Sequence, residues 1–184
     1  MITPAYCQTM AAYNGWQNRA IYTASAQLSD EERKRDRGAF FRSIHSTLNH
    51  LLFGDRVWLP RFPGAPRPSY EVKGMGVDLF DDFAELLAAR RAMDDDIGVW
   101  AAGVSAEQLA GTLTWHSMVA KREMSRPVAL CVVQMFNHQT HHRGQVTTLL
   151  KQAGIDPGVT DLPWAPLTRD GQGRIVLGDS YALD

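Results

Sequence analysis

Three of the chain's six histidines fall within FNHQTHHRGQ, from Phe136 to Gln145. Imidazole is the commonest metal ligand and titrates near neutral pH. Such a cluster can therefore be a metal site, a catalytic base or a polar helix face. A helix turns about 100° per residue, so His138 and His142 share one face, about 6 Å apart along the axis. His141 lies about 60° from His138 on the other side and about 100° from His142. Ligands must converge on one point, so spacing favours the 138/142 pair and leaves His141 for solvent or a neighbouring helix. No glutamate follows His138, which excludes the HExxH zinc-protease pattern.

Two imidazoles make an incomplete site, and a third ligand must come from elsewhere in the fold. The candidates are His45, His50 and His116, with carboxylates as outsiders. His50 lies in the apolar run STLNHLLFGD, which suits a core histidine bonded to a neighbour as well as a ligand. His45 is about 140° round the helix from His50, so the two cannot both point at one site. His116 follows Trp115 in an irregular segment, at a pocket mouth or on the surface.

Gln134 and Gln145 share roughly the face of His138 and His142, where each suits pocket lining or support of a ligand. Asp55 is about 140° off the His50 face and is expected to be structural, paired with a base such as Arg143. Arg143 projects away from the 138/142 face, toward an anion or partner contact or a surface ion pair. Gly144 interrupts a good helix, and close helix packing is the expected compensation. Tyr13, Trp16 and Trp58 are read as packing residues.

The elements that must position these side chains are mainly helices. Thr3-Pro4 reads as a cap and first helical residue, opening a helix to about Gln27. The charge run LSDEERKRDRG is a solvated connector or helix start. A second helix is expected over Phe40–Trp58, stopped by Pro60. A proline- and glycine-rich stretch from Pro60 to about residue 77 reads as a long crossover loop able to wall a pocket. Asp78 is the expected cap of a third helix, running to about Met93 or beyond. SAEQ fits a capping box, and GTLTWHSMVAKREM suits extended chain, with room for one hairpin. Pro127 opens the last helix, to about Ala153, with Gly154 at a left-handed cap. RDGQGRIVLGD forms a small hairpin or simply lies on the surface. The fold class is thus all-α: an up-and-down four-helix bundle with one long connection, about 60–77, and minor extended segments. The bundle domain is placed at 1–165 and a tail at 166–184.

Length, 184 residues, suits one domain with a sizeable core. A net charge of -1 gives no general field for nucleic acid, and no binding motif appears. Cys7 and Cys131 are the only cysteines and form no CxxC pair, which fits a reducing compartment. No basic start precedes an apolar run, and no window of about 18 apolar residues appears. A soluble, cytoplasmic protein without membrane association is expected.

The motifs YNGWQNR, FFRSIHSTLNHLLFGDRVWL and FNHQTHHRGQVTTLLKQAGIDPGVTDLPW resemble those of the DinB (YfiT-like) superfamily of small bacterial four-helix proteins. The resemblance runs to about residue 165. It implies a three-histidine site with one ligand from the second helix and two from the last, matching His50, His138 and His142. It favours zinc or nickel, and it implies homodimers. Relatives include metal-dependent transferases and isomerases that use low-molecular-weight thiols such as bacillithiol or mycothiol. Three neutral imidazoles leave a divalent metal at least one open position, the pattern of catalytic sites. The expected function is a divalent-metal-binding, metal-dependent enzyme of the thiol-transferase or hydrolase type acting on a small molecule. No general base beyond the ligands is evident from sequence. The alternative is a non-catalytic metal-binding stress or structural protein, its site closed by His116, His45 or a carboxylate.

Overall fold

The computed structural model describes residues 2–71 and 76–178. Helix α1, Pro4–Ala26, begins where expected: the Thr3 hydroxyl accepts from the Tyr6 N–H and proline takes the first position. The charge run forms a short helix, α2, Asp30–Lys34, capped by Ser29, with acids in its first turn and bases in its last.

Helix α3, Ile44–Trp58, starts four residues later than the sequence predicts. Arg42 adopts φ 68° and Ser43 is extended at φ -126°, ψ 164°, so the backbone cannot be helical through them. Phe40 and Phe41 therefore lie in a turn, and Ser43 caps α3 by accepting from the Ser46 N–H. Helix α4, Phe83–Gly103, is likewise capped by Asp82 rather than Asp78. Helix α5, Ala106–Ala110, carries the expected box between Ser105 and Gln108.

Strands β1, Thr112–Ser117, and β2, Arg122–Pro127, form an antiparallel hairpin, with Thr112 opposite Pro127 and Ser117 opposite Arg122. Helix α6, Val128–Gln152, follows directly, and Gly154, just past its Ala153 cap, turns left-handed at φ 81°. Strands β3, Leu167–Arg169, and β4, Ile175–Leu177, make a second hairpin, with β4 lying against α1. The Ile175 N–H donates to Gln8 Oε1 at 3.1 Å. The chain is thus mostly helical, and the all-α expectation is corrected by these two small sheets. The end of the expected tail, 179–184, and loop positions 72–75 lie outside the described residues.

The four long helices share one core. Helix α1 packs on α4 and α6, and α3 packs on α6 and α4. Ile21, Ile44, Leu48, Leu52, Leu86, Met93, Trp100, Val132, Phe136 and Leu150 are fully or almost fully buried between them. Burying each such side chain contributes roughly 1.5–3 kcal/mol. Trp16 and Tyr13 are buried as expected, and Trp58 packs edge-on against Trp115 of β1. The α3–α6 contact is the one that matters for chemistry, because it joins segments 88 residues apart. Among the described residues no helix is long and apolar enough to cross a membrane.

Candidate metal centre

The run that holds His50 has two sides. Leu48, Leu51 and Leu52 enter the core, while His50 faces α6, half-buried. There it meets His138 and His142. His50 Nε2 and His138 Nε2 are 3.1 Å apart. One ring nitrogen from each of the three histidines lies within 4.8 Å of the others. Ring centroids are 5.0 Å (His50–His138), 4.7 Å (His50–His142) and 4.4 Å (His138–His142) apart.

The surroundings fit a bound cation. Gly54, one helical turn beyond His50, has no side chain where the His138 ring sits. A Cβ there would stand 2.6 Å from His138 Cε1 and 2.8 Å from its Nδ1. Burial, then the neighbouring His142, His50 and His141, push the His138 pKa down to about 3. Burial also lowers that of His142, against an opposing hydrogen bond from Gln145. Both imidazoles are therefore neutral near pH 7, the form that ligates metal. His142 Nδ1 is 2.8 Å from Gln145 Oε1. With the proton on Nδ1, this bond fixes the ring and turns Nε2 toward its neighbours, the usual support for a ligating histidine. Gln134, the other expected supporter, is exposed.

Aromatic rings wall the cluster. Phe41 lies over His50 with centroids 4.0 Å apart and reaches His142 at 5.2 Å. Phe53 stacks on the His50 ring at 5.9 Å. Gly76, at φ 76°, packs on Phe53 so closely that an added Cβ would overlap it. Gly76, near the end of the long loop, therefore buttresses this region.

The remaining histidines stay apart. His45 is buried and turned to another element, with Nε2 2.8 Å from the Phe80 carbonyl. His116 is exposed on β1, and His141 is exposed beside Gln145. Among the described residues no fourth histidine, cysteine or carboxylate joins the three. Both cysteines are buried and free. A groove of about 530 Å³ between α1, α4 and β4, lined by Ala11, Ala12, Gly15 and Gly98 among others, contains none of the three histidines.

Three expectations change. Asp55 pairs with Arg90, not Arg143, at 2.7 Å in the core, and Arg90 reaches Asp94 at 3.0 Å. Arg143 is buried rather than on the surface. It donates to Asn14 Oδ1 and lies over the Tyr13 ring, and burial pushes its pKa down to about 10. Its direction away from the histidines was right, but α1 covers that side. Gly144 faces open space, so the close approach belongs to Gly54 instead. Sequence reasoning also missed Gln139, buried next to His138, whose Nε2 donates to the Leu51 carbonyl at 2.8 Å and ties α6 to α3. Its one sequence signal is a polar residue on the core side of α6.

Comparison with known proteins bears on the family and the fold. A family profile described as DinB family matches residues 1–172. The curated protein named Protein DinB from Bacillus subtilis (strain 168) is 25% identical over 158 residues, covering 81% of this chain and 87% of that one. A crystal structure of a DinB-like protein from Bacillus cereus is similar in fold, with a TM-score of 0.53 at 17% identity. The match covers 78% of this chain and 91% of that one.

Proposed function

The chain belongs to the DinB family, and we propose that His50, His138 and His142 hold a divalent metal, zinc or nickel, in a catalytic site. The reading is a metal-dependent enzyme of the thiol-transferase or hydrolase type, acting on a small molecule. One observation carries it: three ring nitrogens on two helices within 4.8 Å of one another, with no fourth ligand beside them among the described residues. Three-ligand sites are the catalytic kind, and four-ligand sites the structural kind. When bound, the metal supplies Lewis acidity, either lowering the pKa of water or binding a thiolate.

The protein's own residues do the rest. Burial and its neighbours keep His138 neutral, Gln145 orients His142, and the absent side chain of Gly54 lets His138 approach α3. Phe41 and Phe53 keep water from the flanks of His50. The four long helices are read as an up-and-down bundle spanning 1–165, with 166–184 as a tail. The family resemblance supports a cytoplasmic homodimer and a low-molecular-weight thiol as co-substrate.

The test is turnover. Protein purified without a histidine tag, loaded with zinc or nickel, is assayed for thiol transfer to electrophiles and for hydrolysis, with and without chelator. The expected result is turnover that chelator abolishes and that His50→Ala lacks. Bound metal with no chelator-sensitive turnover would assign the protein to the non-catalytic, metal-stabilised alternative.

A further inference from the structure

Phe40 and Phe41 form the centre of the Ala39–Arg42 turn, directly before α3. The turn is held in place. The Arg42 N–H donates to the Ala39 carbonyl and the Arg37 N–H to the Arg42 carbonyl, each at 2.8 Å. Arg42 Nε donates to Asp36 Oδ2 at 2.8 Å. Arg42 itself sits at φ 68°, a region that side-chain-bearing residues rarely enter. The constraint delivers Phe41 onto the cluster, 4.0 Å from the His50 ring and 5.2 Å from His142. Phe40 then stands edge-on to Phe41, with centroids 4.8 Å apart and planes at 89°, and is 81% exposed. A single exposed phenylalanine is unremarkable, but this one continues an aromatic surface from solvent to the His50 and His142 rings.

We propose that Phe40 and Phe41 are specificity-determining residues: the ligand that joins the three histidines carries a flat, unsaturated ring. Its ring rests on Phe40 while its donor atom enters past Phe41, at the His50–His142 edge. Aromatic rings gain from edge-to-face and offset contacts that aliphatic groups lack, which gives such a ligand its advantage. The inference rests on the metal reading above and goes beyond it.

Cobalt(II)-loaded protein tests both, because its visible absorption responds to the ligand set. Benzimidazole serves as the flat-ring probe and azide as the ringless one. Phe40→Ala and Phe41→Leu are expected to weaken benzimidazole binding by about threefold to tenfold, the worth of an aromatic contact, and to leave azide within about twofold. Equal loss for both probes, or no loss for either, overturns the proposal while leaving the metal site intact. A Phe40→Ala variant that changes elution volume with both affinities unchanged assigns Phe40 to a contact between copies, and also overturns it. Failure to bind cobalt removes the metal reading and this inference together.

Discussion

Gly54 and Asp55 are neighbours on α3, and His138 and Gln139 are neighbours on α6. Each pair divides between two regions of opposite design. Toward the core, Asp55 meets Arg90, which also meets Asp94, which accepts from Asn18 Nδ2 at 2.8 Å. Burial alone would lower the Arg90 pKa, but the Asp94 and Asp55 carboxylates outweigh it and raise it, so the guanidinium stays charged. Opposite charges there answer one another within the fold. Toward the α3–α6 seam, Gly54 and His138 belong to a cluster of three like donors, and burial and mutual repulsion keep His138 neutral. Like donors cannot neutralise one another, and a cation between them is what their convergence suits. The first region pairs its charges within the fold, and the second gathers three donors with no countercharge among them.

The comparison predicts different losses on the two sides. Asp55→Ala leaves Arg90 buried without its closest partner and should cost about 3–5 kcal/mol in urea unfolding, while the folded fraction keeps its metal stoichiometry. A cost below about 1 kcal/mol would show that the ion pair is not the structural member of the two. Gly54→Ala comes next. Its Cβ overlaps the His138 ring, so overpacking of about 1–3 kcal/mol is expected, with metal affinity reduced by about tenfold or more. Gly144→Ala is the control, facing open space in the same helix as His138, and should gain about 1 kcal/mol. If the two alanine variants behave alike, Gly54 is not the cradle of His138.

Those glycines also show what was legible in the sequence. Helical phase separated His138 and His142 from His141, because ligand convergence at i and i+4 is a local property. Spacing alone left the third ligand open among His45, His50 and His116, because which residue of α3 meets α6 is set by packing across 88 positions. The resemblance supplied His50. The two helical glycines look identical in sequence, and only the neighbouring helix distinguishes a cradle from open space. Arg143 was misjudged for a related reason: phase gives a direction, and here α1 rather than water lies in it. The β1–β2 hairpin was visible as β-branched and aromatic residues in poor helix, whereas the start of α3 was hidden by the apolar pair Phe40-Phe41.

Gln145→Ala sharpens the second region without touching the first. It removes the group that orients His142, and metal affinity should fall about 10–100-fold in a chelator competition while the unfolding midpoint of the metal-free protein holds. An unchanged affinity would reduce Gln145 to a bystander. The mildest perturbation is pH on the metal-free protein. Its folded-state His138 pKa is about 3, below the value of about 6.5 in an unfolded chain. The unfolded state takes up a proton that the folded state refuses, so stability should fall as pH drops below about 6.5 toward 3. His138→Asn should flatten that slope, and identical slopes would contradict the assignment.

The most direct test of the central claim is elemental analysis of untagged protein and its single histidine variants. The account predicts one divalent metal per chain, lost in His50→Ala, His138→Ala and His142→Ala and retained in His45→Ala, His116→Ala and His141→Ala. Full retention in all three cluster variants would contradict it.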